Sequence, residues 1–464
     1  MERSRPVKRA CGKDRVRVEQ EIISMRGSFG KFGKSAAARA AFGLAIATGV
    51  TAGGFVPAVA TAKEKEAKGG KVSNSPEFVK AAQAFQPAFT AAQGQTGDAQ
   101  KAAGQALAPQ LATIQASVKT PADQIIFGQW QQSVGNWVGD ATLVRTGLQN
   151  MLDSGQLPAD KVSLVQFFIG AKAYEAKDYA GAIKALQPVV AANYSDDVAA
   201  EMLAESYAQT GNPKAGLDAL KQAIAARKAA GGVAPEGWFS RANRIAYNGK
   251  LNADSAEWGT MLAEAYPTAI NWLGATQLVR NSSQFTAQEN LDLGRLMDRS
   301  GALKADPKYT EREYVDYIQA ADARRNPGEV LKVAQEGLAA GALKPTDTFV
   351  SDAMTQAKGR IAADKASLPG LAKDAAAGAN GVTANAAGDA YLQYGEAAKA
   401  EEFYKLALTK GGIDKDRALT RLGIAQADQA KWADAKASFA QVTGLRAPMA
   451  KLWTVWVDQK AAGK

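Results

Sequence analysis

Histidine is absent from the 464-residue chain, and cysteine occurs once, at Cys11. These two absences remove the usual zinc ligand sets, the cysteine-histidine nucleophile pair and the serine-histidine-aspartate triad, each of which needs an imidazole or a thiolate. Asp/Glu pairs, Lys or Tyr bases and oxygen-ligated metals remain, and all of these depend on groups that only a fold brings together. Strand signals are scarce too: β-branched clusters are few, whereas alanine-rich runs such as 199–208 favour helix. The expected class is all-α. A surplus of positive charge is also largely missing where it would matter. The formal net charge is +10, but residues 1–62 hold 11 Lys+Arg against 4 Asp+Glu, leaving 45 basic and 42 acidic residues beyond them. A net of +3 over 402 residues is no footprint for phosphate binding, so nucleic acid is not an expected partner.

The basic amino terminus has the architecture of an export signal. Arg26, Lys31, Lys34 and Arg39 precede Ala40–Ala62, an uncharged stretch of small and apolar residues that ends in Ala60-Thr61-Ala62 before Lys63. Cleavage is expected after Ala62, which places the mature chain in the periplasm or outside the cell, with no stable membrane span. A membrane anchor is the competing reading, weakened by Gly49, Gly53, Gly54 and Pro57 within the run. Met25 begins a complete signal by itself, so residues 1–24 read as an over-long start. Cys11 lies upstream of the cut, which leaves the mature chain no disulfide and no acyl anchor, as suits a bacterial envelope. Gly33-Lys34-Ser35 resembles the end of a phosphate-binding loop, but Ser28 stands where the first glycine is required and no strand precedes it. Residues 63–75 form a charged linker without the apolar residues needed to join a core.

Beyond the linker, residues 76–161 read as helical hairpins broken at Gly94–Gly97, Thr120-Pro121, Gly139-Asp140 and Ser154-Gly155. From Val162 a longer period emerges. Phe168-Ile169-Gly170-Ala171, Tyr174, Asp178-Tyr179, Ala182, Leu186 and Val189 are followed by Leu203-Ala204, Tyr207, Gly211-Asn212-Pro213, Leu220 and Ala223, with Gly170 and Ala204 34 residues apart. Two antiparallel helices approach closely only where small residues face each other, and Gly170 with Ala182 is the expected contact. A second pair follows at 383–446: Gly388, Tyr391, Gly395, Ala400, Tyr404 and Ala407 are echoed by Leu422-Gly423, Trp432, Ala435, Phe439 and Val442.

These motifs, explicit over 162–232 and 383–446, resemble the tetratricopeptide repeat family. Between them, residues 233–382 carry degenerate repeats: Trp238 and Trp272 are 34 apart, and Asn326-Pro327-Gly328-Glu329-Val330 through Gly337 repeats the turn-plus-helix pattern. Ser367-Leu368-Pro369-Gly370 is expected to interrupt a helix, and the repeat register between 340 and 382 stays open. Residues 447–464 read as a capping helix. The resemblance implies a right-handed superhelical solenoid of antiparallel helix pairs whose concave face, lined by the first helix of each pair, receives a peptide. Carried over position by position, the groove would present Phe167, Tyr174, Glu201, Glu205 and Gln209 from the first pair. The later pair would add Asn385, Asp389, Gln393, Thr420 and Asp428. A merely solvated helix face is the plainer reading of those polar residues. The clear repeats lack the family's early Trp, and neither pair has the Lys and Arg set that clamps a terminal carboxylate.

The resulting expectation is a non-catalytic scaffold or adaptor, without cofactor or metal, that binds a protein or peptide partner in the cell envelope. The alternative is an all-helical binder or hydrolase of cell-wall or other polysaccharide. Trp130, Trp137, Trp238, Trp258 and Trp272 would then line a cleft, and Asp292, Asp298 and Glu311-Arg312-Glu313 would supply paired carboxylates. Core packing and a charged helix surface explain the same residues.

Overall fold

The computed structural model describes residues 73–194 and 197–463. The expected signal, its cleavage point and most of the charged linker lie outside the described residues. Among the described residues there are helices and no strands, and within each unit most helices adjacent in sequence pack side by side. They fall into two compact units, one ending at Trp238 and the other running from Phe239 onward.

The first unit comprises α1 (Pro76–Gln93), α2 (Gly97–Gln115), α3 (Pro121–Val138), α4 (Ala141–Asp153), α5 (Ala159–Glu175), α6 (Tyr179–Ala191), α7 (Val198–Gln209) and α8 (Pro213–Ala229). Its breaks fall where turn chemistry puts them. Thr120 and Asp123 form a capping box ahead of Pro121, and Asp140, Asp178 and Asn212 each cap the helix that follows through a side-chain oxygen. Asp123 does more than cap. Fully buried, it accepts from Asn74, from the Ser75 amide and hydroxyl, and from the Lys119 and Thr120 amides, tying the start of α1 to the start of α3. Burial alone would raise its pKa, but this ring of donors holds it below the ordinary aspartate value.

From Phe239 the chain continues through α9 (Glu236–Asn248), α10 (Asn252–Ala265), α11 (Ala269–Ser282), α12 (Ala287–Ser300), α13 (Pro307–Ala321) and α14 (Pro327–Ala339). It ends with α15 (Thr348–Ala377), α16 (Val382–Leu392), α17 (Ala397–Lys410), α18 (Lys415–Ala427), α19 (Trp432–Phe439) and α20 (Ala447–Ala461).

The repeat period has a physical counterpart in both units. A left-handed residue ends the first helix of each clear pair, Lys177 and Gly211 in the first and Gly395 and Ala430 in the second, and the next helix begins two residues later. Each first helix also carries a small residue against which the second helix closes. A Cβ on Gly170, Gly388 or Gly423 would lie 2.5 to 2.6 Å from a side-chain atom of Leu186, Tyr404 or Phe439, in every case 16 positions further on. Gly170 therefore meets Leu186 and Ala185 most closely, rather than Ala182. The expected small-to-small contact occurs one repeat later, where Gly216 abuts the Ala204 carbonyl.

One expectation needs correction. Pro369 does not interrupt a helix, because α15 runs unbroken through it for 30 residues. A proline removes one hydrogen bond and crowds the preceding turn. The buried stripe Val350, Ala357, Leu368 and Ala375 nevertheless stays on one face, at spacings of 7, 11 and 7, so packing on α14 and α16 outweighs the defect. Lys410 then ends the helix, its Nζ donating to the carbonyls of Ala375, Ala376 and Gly378 at 2.9, 2.7 and 2.6 Å. The expected capping helix, α20, packs inward on more than its neighbour. Trp453 is fully buried, the helix packs on α10, α11 and α12 as well as α19, and Gln459 in its polar end donates to the Ala263 carbonyl at 2.8 Å. The last helix of the second unit thus returns to its first ones.

Candidate functional site

In the first unit, α5 lies against α4, α6 and α7, so it is buried on more than one side. Phe167 falls within that interior, its ring 5.7 Å from those of Phe168 and Tyr194, and it cannot line a groove. Tyr174 is half-buried and meets Tyr179 edge-on at 5.8 Å. Glu201 is half-buried with its carboxylate against the backbone of Gly237, while Glu205 accepts from the exposed Gln209 at 2.9 Å. Tyr174, Glu201, Glu205 and Gln209 therefore keep solvent-facing surface on the first helices of consecutive pairs.

The later set behaves differently, because the chain has engaged those positions itself. Thr420 is fully buried and returns its hydroxyl to the Asp416 carbonyl at 2.7 Å; Asn385 is buried as well. Gln393 accepts from the Gly328 amide and donates to Asp364 and the Arg325 carbonyl. Asp389 accepts from Tyr404 and Arg421, both at 2.7 Å, and Asp428 receives both arms of Arg299 at 2.7 Å. The reading of Thr420 and Asn385 as groove residues is overturned by burial. Asp389, Gln393 and Asp428 are occupied in cis.

Asp389 and Asp428 belong to a buried ionic network around Asp292 on α12. Along α12, Gln288, Asp292, Arg295 and Arg299 recur at spacings of 4, 3 and 4 and so share one face. Asp292 accepts from Arg295 at 2.9 Å, from Arg421 of α18 at 3.0 Å and from Arg446 at 2.7 Å. Arg295 also grips Glu329 with two parallel bonds of 2.8 and 2.6 Å, and Tyr317 donates to the same carboxylate at 2.7 Å. Arg421 extends to Asp389 and, at 2.9 Å, to Gln288, while Arg446 reaches Glu289 at 2.8 Å. Glu289 in turn forms the capping box with Thr286. The cluster thus joins residues up to 157 positions apart, Glu289 and Arg446.

Its electrostatics run against acid-base chemistry. Burial would raise the pKa of Asp292, but Arg421, Arg446 and Arg295 outweigh it and hold the carboxyl at about 2. Glu289 and Glu329 are likewise lowered by their hydrogen bonds and arginines against the opposing effect of burial. Burial beside Glu329 and Asp389 pushes the Tyr317 and Tyr404 hydroxyls well up. A general acid needs a carboxyl raised toward neutrality, and these are depressed. Glu313, which the sequence marked as a possible catalytic acid, is buried in a two-pronged pair with Arg280 at 2.6 and 2.7 Å.

Carboxylates whose folded pKa is lowered stabilise the fold above their unfolded pKa values, near 4, and that stabilisation is lost as pH falls through the folded values. Glu401 of α17 is held at about 2 as well, burial being outweighed by hydrogen bonds from Lys405, Lys431, Gln429 and Gln426, so the second unit is expected to lose thermal stability progressively from about pH 4.5 toward 2. Melting curves across that range check this; a Tm unchanged down to pH 2 would contradict it.

The tryptophans are core. Trp130 packs among Phe78, Phe85 and Phe89, and Trp238, Trp258 and Trp272 are buried, with the Trp238 indole donating to the Asp197 carbonyl at 2.8 Å. Trp137 is half-buried against Phe89. Among the described residues no group of three or more His, Cys, Asp or Glu could hold a metal ion, and no helix is long and apolar enough to cross a membrane.

No family model matches the chain, and no curated protein matches it. Among solved structures it is similar to the structure of Naa15/Naa10 bound to HypK-THB, at 13% identity over 81% of this chain and 70% of that one, with a TM-score of 0.22. A TM-score that low carries neither fold nor function across.

Proposed function

We propose that the chain is an exported, tetratricopeptide-like scaffold that works by binding another protein of the cell envelope, without catalysis, through the first unit. The observation that carries this reading is the arrangement of α5 to α8. Two helix pairs repeat at 34 residues with the same left-handed turn and a glycine at the close approach within each pair, and the first helix of each leaves polar groups at the surface. Such arrays bury their apolar faces on their neighbours and keep a continuous side-chain surface for a partner. The polysaccharide-hydrolase reading has less support, since the buried acids that converge are arginine-paired and the tryptophans are internal.

Photo-crosslinking from residue 209, against an envelope extract, tests the proposal. A discrete protein adduct that disappears with Glu201→Lys/Glu205→Lys, and not with charge reversal at Asp160, is the expected result. Adducts indifferent to both changes, or release of sugar from cell-wall material, would overturn it. The exported protein from the same preparation should begin at Lys63; retention of residues 1–24 would refute the assignment of the signal.

A further inference from the structure

We propose that Asn380 is a self-modification site, at which the Gly381 amide nitrogen attacks the asparagine side-chain carbonyl carbon and the isoaspartate that results loosens the start of α16. Asn-Gly occurs twice in the chain, at 248–249 and 380–381, and both asparagines are exposed. The glycine lacks the Cβ that would hinder the approach of its nitrogen. In the reaction the Gly381 N–H proton passes to hydroxide, the bond from Gly381 N to Cγ forms, the Cγ–Nδ2 bond breaks, and the amide leaves as ammonia with a proton from water. Water then opens the succinimide at either carbonyl, giving aspartate or isoaspartate.

The fold treats the two sites oppositely. Asn248 is the last residue of α9, and the Gly249 amide donates to the Ile245 carbonyl at 2.9 Å as part of the helix's own ladder. The Lys250 and Leu251 amides then close back on the Tyr247 and Ala246 carbonyls, so freeing the Gly249 nitrogen means unwinding the last turn. Negative charge developing there also meets the negative end of the helix. Asn380 stands instead just ahead of α16, with Gly381 as its N-cap residue. The Asn380 Oδ1 already accepts from the Val382 amide at 3.0 Å, so the oxygen that becomes an oxyanion during attack sits at the positive end of a helix, held by one of its N–H groups. Lys410 adds a cation nearby, its Nζ donating to the Gly378 carbonyl at 2.6 Å. A single bond restrains the nucleophile: the Gly381 amide donates to the Gly411 carbonyl at 2.7 Å, in a turn where Gly411 and Gly412 both have positive φ. Breaking that bond frees the nitrogen without unwinding a helix.

The isoaspartyl product does not fit back into the same place. Gly381 is fixed by close contact: a Cβ there would collide with the Ala407 carbonyl oxygen of α17, and its own carbonyl accepts from the Asn385 amide at 2.8 Å. Isoaspartate carries an extra carbon in the main chain immediately ahead of this locked residue, so either the Gly381–Gly411 bond or the Asn380–Val382 bond is given up. The aspartyl product keeps the main chain unchanged and places a carboxylate ahead of a helix N-terminus, where it is favoured. The inference does not depend on what the first unit binds.

Peptide mapping by mass spectrometry of the full chain held at mildly alkaline pH, folded and in guanidinium, tests it. Dividing each site's folded rate by its own rate in denaturant removes the influence of the neighbouring residues. The quotient at Asn380 is expected to exceed that at Asn248 by roughly 3- to 30-fold, the rate equivalent of a favourable helix end at one site and an unfavourable one at the other. Asn380→Gln should suppress conversion at that position, because the longer side chain closes a larger ring more slowly. Asn380→Asp should melt with the parent, whereas the isoaspartyl chain separated from aged protein should melt lower and exchange the amides of α16 faster. Equal quotients, a faster Asn248, or an isoaspartyl chain that melts and exchanges like the parent would overturn the proposal. So would an Asn380→Asp chain that melts as low as the isoaspartyl one, since the added charge and not the lengthened main chain would then be the cause.

Discussion

Asp292→Ala is expected to destabilise the second unit by about 3 to 5 kcal/mol, the range for removing one partner from a buried ion pair. The carboxylate receives three guanidinium groups, and its removal leaves Arg295 and Arg421, both about 1% exposed, facing each other without the anion between them. Each arginine then keeps one acidic partner, Arg295 with Glu329, Arg421 with Asp389 and Arg446 with Glu289, so the loss is shared among three guanidinium groups. A control lies between α19 and α20. Lys436 and Asp458 form a pair of 2.8 Å whose side chains are both about half exposed, and Lys436→Ala should cost no more than about 0.5 kcal/mol because water already screens it. Guanidinium unfolding of the two variants beside the parent measures the difference. If Asp292→Ala stayed within about 1 kcal/mol of the parent, the cluster would be energetically neutral and its role would be geometric alone.

Gly147→Ala should be the most damaging methyl group that can be added to the first unit. Helices α3 and α4 cross at a pair of glycines: a Cβ on Gly147 would lie 2.5 Å from both the Gly128 carbonyl oxygen and the Gln132 amide nitrogen. Both obstacles are backbone, so no rotamer change relieves them and the helices must separate. The expected loss is about 3 kcal/mol, at the upper end for overpacking, with the first unit unfolding earlier than the second. Gly359→Ala provides the opposite sign. That position is within exposed α15 with no heavy atom within 4 Å of the added carbon, and the change should stabilise by about 0.5 to 1 kcal/mol through helix propensity. Circular dichroism melts of the two variants suffice. A Gly147→Ala chain as stable as the parent would mean that α3 and α4 can part freely.

Much of this protein was legible from local chemistry. The breaks at Gly94–Gly97, Thr120-Pro121, Gly139-Asp140 and Ser154-Gly155 separate observed helices, because caps and left-handed residues act on the turn they occupy and need no distant partner. The 34-residue interval held for the same reason: a pair of helices repeats its own internal packing wherever it occurs. Pro369 was misread because the local defect is real, but its cost is smaller than the packing of a 30-residue stripe, and that packing belongs to α14 and α16. Phe167 was misplaced by a related cause. A helix flanked on several sides has no single buried face, so periodicity alone cannot say which residue points outward.

Composition, turn chemistry and period together determined that the chain is helical, built of pairs, and without the imidazole chemistry of common active sites. Tertiary structure alone decided the fate of the polar face of α12. Gln288, Asp292, Arg295 and Arg299 have the spacing of a solvated or ligand-binding stripe, and within their own helix nothing contradicts that. Their partners are Arg421, Asp428 and Arg446, about 130 to 150 positions away. A charge carries no mark in the sequence of whether water or another charge will satisfy it. That is settled only when the end of the second unit closes onto its beginning and excludes the water.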